Sequence, residues 1–184
     1  MLLTPEIMKH IITTVGIAAS VAFISLRSEG KETPVKLDSL PAALQKAITA
    51  AVGEGTIQSI ASEVEGKQTN YEVAVINGKK KLEHKFSADG MLLETEEAVA
   101  MTELPAPVRA TFEKLAGNHK ILEVVQVTVG EKKFYEADVE KDKGTEEIKV
   151  SLAGALISTV MEPAKSKEDA DGDKDGDEAE LPKK

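Results

Sequence analysis

The chain has 184 residues, 30% of them charged, and a formal net charge of −9. It contains no cysteine, which excludes a disulfide, a thiolate nucleophile and a cysteine-based zinc site. The charge divides into about −3 on each of two repeats and about −3 after Glu162, with no basic cluster; this argues against nucleic acid as a partner, because phosphate neutralisation needs Lys and Arg on one face.

The first element is an apolar run, Ile11–Leu26, preceded by Lys9-His10 and followed by Arg27. It is shorter than the roughly 20 residues that span a bilayer comfortably, and it suits the hydrophobic part of an export signal better. Translation from Met8 would give the usual signal shape, and Ser20-Val21-Ala22 is a tolerable cleavage site. A cleaved signal is the first expectation and an uncleaved membrane anchor the second. A buried or amphipathic helix comes third, because the run shows no polar face at helical spacing. Residues 28–38 then read as a polar linker.

Downstream, the chain repeats itself at an offset of 64 residues. Leu40–Ala98 aligns with Leu104–Glu162 without a gap, and about a quarter of the aligned positions are identical. Leu40-Pro41-Ala42 falls on Leu104-Pro105-Ala106, Gly53 on Gly117, Gly66 on Gly130, Tyr71-Glu72 on Tyr135-Glu136, and Lys85 on Lys149. A unit of about 60 residues is marginal alone, so the two are expected to share a core or join their sheets.

Each unit opens with a predicted helix. Leu40, Leu44, Ala47, Ile48, Ala51 and Val52 form one apolar stripe; Leu104, Val108, Thr111, Phe112 and Leu115 form the other. Pro41 and Pro105 suit a first turn, and Gly53 and Gly117 suit the C-terminal cap. The remainder alternates with period two. Ile121, Glu123, Val125, Val127 and Val129 are expected on one strand face, with Leu122 and Val124 on the other. A second strand runs through Tyr71, Val73 and Val75, matched by Tyr135, Ala137 and Val139. A third lies near Lys81–Ser87 and Glu146–Ser151. Asp89-Gly90 signals a hairpin, and a last strand follows at Met91–Thr95 or Ala155–Thr159. The expected fold class is therefore α+β: two tandem repeats, each one helix packed on about four antiparallel strands.

The tail, Pro163–Lys184, reads as a disordered acidic segment. From Asp171 it opens like a calcium loop, Asp-x-Asp-x-Asp-Gly, but Glu178 and Pro182 stand where that loop needs an aliphatic residue and a bidentate glutamate. Calcium at the tail is therefore the weaker reading.

This order of features resembles the PepSY-like family of small extracytoplasmic modules, related in shape to β-lactamase inhibitor protein and to peptidase propeptide domains. The resemblance is carried by Leu-Pro-Ala at the helix start, Tyr71-Glu72-Val73-Ala74-Val75, Phe86-Ser-Ala-Asp-Gly-Met-Leu-Leu93 and the tandem arrangement, over about 37–162. The second copy departs at the hairpin, where Leu152-Ala153-Gly154 replaces Ala88-Asp89-Gly90. The resemblance implies export, no catalytic residues, and a role in binding or inhibiting other proteins.

Candidate chemistry is sparse. His84 and His119 match Ile148 and Gly55 in the other repeat, so neither histidine is a repeated position, and packing or surface roles are expected for both. In Tyr71-Glu72 and Tyr135-Glu136, adjacent strand residues face opposite sides; the tyrosine is expected under the helix and the glutamate in solvent. No phosphate loop or nucleophile elbow is present. The sequence thus predicts no catalytic, cofactor-binding or metal site. The expected plan is residues 1–27 as signal peptide or anchor, 28–38 as linker, 39–98 and 99–162 as the two repeats, and 163–184 as tail. The expected function is a non-enzymatic, periplasmic or secreted binding module, acting on an extracytoplasmic protein such as a peptidase. The alternative is a structural or sensory envelope component, touching the membrane only through an uncleaved N-terminal segment.

Overall fold

Two stretches of the chain combine an apolar stripe at helical spacing with a proline before it and a glycine after it. Both form helices, α1 at Ala42–Val52 and α2 at Ala106–Ala116. The computed structural model describes residues 32–163. The apolar run, the start-codon question and the acidic tail beyond Pro163 lie outside those residues; Pro163 itself, expected in the tail, ends a strand.

Pro41 and Pro105 sit one place before each helix, as the capping residue, so the missing N–H costs no helical hydrogen bond. Asp38-Ser39 and Thr102-Glu103 come shortly before those prolines. They belong to short 3-10 turns, Leu37–Ser39 and Met101–Glu103, that lead into the prolines. Gly53 and Gly117 close the helices at φ +56° and +61°, where a side chain would be strained.

The strands are β1 (Thr33–Pro34), β2 (Thr56–Glu65), β3 (Gln68–Asn77), β4 (Lys80–Ser87) and β5 (Leu92–Ala98), then β6 (Ile121–Val129), β7 (Lys132–Lys141), β8 (Gly144–Ser151) and β9 (Leu156–Pro163). They form one antiparallel sheet whose spatial order is the chain order. Thr33–Pro34, inside the segment expected to be a linker, pairs with Ser62 and Ala61 of β2. The two halves join where Thr95–Ala98 pairs with Val125–Thr128. They share a sheet and keep separate cores.

Under α1, Leu44, Ile48, Val73, Val75 and Phe86 are sealed from solvent; under α2, Val108, Phe112, Val139, Ile148 and Val150 are. Each such side chain contributes about 1.5–3 kcal/mol by leaving water. Phe86 and Phe112 supply the bulk that a chain without tryptophan otherwise lacks.

Strict alternation fails in β6. Ile121 pairs with Val139 and Val124 with Ala137, so both face the helix, and Val127 is buried on the opposite side. The cause is a register shift between Ile121 and Glu123, an extra residue that flips the alternation. A matching shift lies between Ile57 and Ser59, and another matched pair lies at Lys85/Phe86 and Lys149/Val150. Such bulges bend a strand and increase its twist.

Candidate functional site

The face of the sheet away from the helices carries the charge. Facing side chains follow from the ladders: Glu72 opposite Lys85, Lys85 opposite Glu94, and Glu83 opposite Glu96 in the first half. In the second, Glu136 lies opposite Lys149, and Asp138 opposite Glu147. The sheet curls about this face, because residues of β3, β4 and β5 line the same cavity as residues of β8 and β9. The cavity has a volume of about 240 Å³ and is lined by Glu72, Glu83, Lys85, Glu94, Glu96, Glu147, Lys149, Val160 and Glu162.

Several carboxylates of this face are nonetheless out of solvent. Glu72 is 8% exposed, Glu136 3% and Glu147 6%. This corrects the expectation that the repeated glutamates are solvated: the strand periodicity gives the correct side, but that side is buried at these positions too. Tyr71 and Tyr135 do pack toward the helices, and Gln126 donates 3.0 Å to the Tyr135 hydroxyl.

The two halves hold their charges differently. Lys149 Nζ lies 3.0 Å from Glu136 and 3.0 Å from Glu147. Lys85, at the matching place, lies 3.7 Å from Glu63 and 3.7 Å from Glu72. Among the described residues, Glu72 Oε2 is buried without a hydrogen-bond partner. Burial, and then the charge of Glu83, push the Glu72 carboxyl up to about 7, against the opposing pull of Lys85.

His84 does not join this face. It sits on the helix side of β4, buried beside Phe86, with Nδ1 3.0 Å from the Thr95 hydroxyl. Burial lowers its pKa from the usual 6.5. His119 is exposed in the turn after α2. The two histidines are thus not brought together, and among the described residues no three His, Cys, Asp or Glu converge as a metal would require. The signal that could have located the face is the repeat itself: Glu72, Glu83 and Lys85 recur as Glu136, Glu147 and Lys149.

Comparison with known families matches the profile described as "Putative beta-lactamase-inhibitor-like, PepSY-like" to residues 26–94 and again to 69–158. The chain belongs to the PepSY-like family. The two matches overlap and together cover both helices and nearly all of the sheet. A PepSY-like fold also appears in solved structures. A BLIP-like protein from Bacteroides fragilis is 20% identical, with a TM-score of 0.55 over 78% of this chain and 93% of that one. A protein from Bacteroides eggerthii, described as a "putative periplasmic" protein, is 16% identical, with a TM-score of 0.55 over 66% and 88%. A DUF2874 family protein from Bacteroides ovatus is 16% identical, with a TM-score of 0.55 over 67% and 89%. A search of curated proteins finds no match. Among the described residues, no helix is long and apolar enough to cross a membrane.

Proposed function

We propose that this PepSY-like chain is a non-enzymatic binding module, exported from the cytoplasm, whose curled sheet face docks another extracytoplasmic protein. The observation that carries this reading is the cavity, to which strands of both halves contribute. A surface built on paired strands is held rigid, and rigidity lowers the cost of binding. The helices occupy the other face, so the two sides of the sheet are divided between stability and recognition. The family description supports a protein-binding role. Export is supported by the Ile11–Leu26 run and by the periplasmic description of the Bacteroides eggerthii relative. A peptidase is the class of partner we put forward first, with inhibition as the consequence of docking.

The test is steric. Val160 lines the cavity and is about half exposed. Val160→Trp fills the cavity without altering charge, whereas Lys114→Glu alters the exposed side of α2. Full-length protein should capture a partner from envelope extract, lose it with Val160→Trp and keep it with Lys114→Glu. Capture indifferent to Val160→Trp would overturn the reading. So would turnover of a peptide, glycan or ester panel that Glu72→Gln abolishes.

A further inference from the structure

The duplication shows what a strand edge of this sheet receives. Where the halves join, Thr95–Ala98 of β5 pair with Val125–Thr128 of β6. The N–H of Val99 donates to the carbonyl of Val124 at 2.9 Å. Antiparallel ladders alternate, so Thr95 and Glu97 are the β5 residues whose main chain also turns toward β6. The same joint recurs, shortened, at the start of the sheet. Thr33 and Pro34 pair with Ser62 and Ala61, the counterparts of Glu97 and Ala98 paired with Gln126 and Val125. The N–H of Val35 donates to the carbonyl of Ile60 at 2.9 Å, as Val99 does to Val124. β1 is thus the counterpart of the end of β5, and it covers part of β2 with a short strand that contains a proline, a usual way of blunting an edge.

The other end of the sheet is a full strand of the β5 type. Among the described residues, the only neighbour of β9 is β8. Its composition runs against its position. Glu96 and Glu97, inside the sheet, correspond to Val160 and Met161 at the edge. Leu156, Ile157, Val160 and Met161 are each about half exposed. Edge strands ordinarily carry charge to keep other strands away, so an apolar edge marks a place where a strand is added. The alternation of β5 carries over: the main chain of Thr159 and Met161 points away from β8. The irregularity of β9 falls earlier, at Ile157, and Pro163 stands in the place of Val99, where its missing N–H ends the edge.

We propose that β9 accepts, along Thr159–Met161, an extended antiparallel strand of the partner protein, neutral or basic and apolar where it meets Val160. The inference rests on the binding-module reading and names the element of the partner that attaches. β6 is the template. Set on β9 in the register of the joint, its Val127 falls opposite Val160 instead of Glu96, and its Gln126 opposite Met161. An apolar cross-strand pair then adds to the main-chain hydrogen bonds. This chain supplies poorer occupants. In a second copy, Thr33 and Pro34 already hold two of the four β2 places that correspond to the joint. Two β9 edges would bring together chains of net charge −9 each. The segment after Pro163 carries about −3 and begins where the edge ends. The same net charge repels an acidic strand and favours a neutral or basic one.

Amide exchange and peptide titration on the full chain, followed by NMR, test this. The probe is a capped peptide of the sequence Val124–Val129 with two lysines appended. It should bind saturably and slow the exchange of the Thr159 and Met161 N–H groups. In the joint, Gln126 and Thr128 turn their main chain toward β5, and Val125 and Val127 turn theirs away. N-methylation of the peptide at Gln126 and Thr128 should therefore abolish binding, and N-methylation at Val125 and Val127 should leave most of it. Met161→Pro, which removes an outward N–H, should weaken binding by roughly tenfold or more. Glu113→Gln, on the exposed side of α2, should leave it unchanged. Equal binding of the two methylated peptides would overturn the inference. So would slow exchange at Thr159 and Met161 without peptide, which would show the edge already covered by this chain or a second copy. If the peptide fails to bind but capture remains sensitive to Val160→Trp, this inference falls and the binding-face reading stands. Capture that ignores Val160→Trp sinks both.

Discussion

The carbonyl of Gly154 accepts a 2.7 Å hydrogen bond from the Thr111 hydroxyl, and this fastens the β8–β9 turn to α2. The turn is the counterpart of Ser87-Ala88-Asp89-Gly90, although Leu152-Ala153 replaces Ala88-Asp89. Both glycines stand at φ +88°, and each donates its N–H to the residue three before it, Ser87 or Ser151. The residue after each glycine donates to that serine's hydroxyl. The hydroxyl and the glycine therefore specify the turn, and the aspartate is dispensable for its shape.

Glycine is required there for two reasons of different weight. A Cβ on Gly90 would meet Ala43 O at 3.3 Å; one on Gly154 would meet Pro107 atoms at 2.7–2.8 Å. Gly90→Ala should cost about 1–3 kcal/mol from backbone strain alone, and Gly154→Ala clearly more, because the start of α2 must also shift. Urea midpoints of the two variants check this. Equal losses would show that the packing against Pro107 adds nothing.

Lys149→Met should destabilise the protein by about 2–4 kcal/mol, since it strands the buried Glu136 and Glu147 carboxylates. Adding Glu136→Gln and Glu147→Gln to Lys149→Met should recover most of the loss. A triple variant no more stable than Lys149→Met would mean that the lysine acts through packing.

The Glu72 carboxyl rises from 4.5 to about 7 on folding, so the folded state binds its proton more tightly than the unfolded chain does. Its stabilising contribution is fully present below about pH 4.5 and is lost as pH rises through about 7. Glu72→Gln should therefore raise stability above pH 7, by about 1–3 kcal/mol, and change little near pH 4.5. Melting curves across this range measure it. A gain that is the same at both ends would rule out the ionisation as its cause.

His84 works in the opposite sense. Burial lowers its pKa below 6.5, so the neutral ring is the folded form. Stability from His84 is present above pH 6.5 and is lost as pH falls below it, because the unfolded chain then takes up the proton more readily. His84→Ile places the residue found at Ile148 in the matching position and should flatten that acid-side loss. An unchanged loss below pH 6.5 would assign it to other groups.

The sequence made the helices legible because proline, apolar stripe and glycine agree at each end. The positions of the strands were legible from the repeat, since a feature present at Tyr71 and again at Tyr135 is unlike chance. The alternation in β6 was not, because one inserted residue at Ile121–Glu123 reverses every side chain after it. The glutamate face was half legible: the correct side of the strand could be read at Glu72, but not its burial, nor that residues of β8 and β9, far along the chain, line the same cavity. No local pattern around Glu72 encodes that.

The order of strands in space, β1 through β9, is also the order in which a ribosome delivers them. After β2, each strand emerges beside an edge that is already in place and becomes the next edge itself. Closing each turn costs little entropy because the partners are close in sequence. No hydrophobic strand waits for a distant segment, which limits the time an open edge can pair with another chain. Assembly can thus proceed as a travelling front, with α1 and then α2 settling onto the strands that follow them.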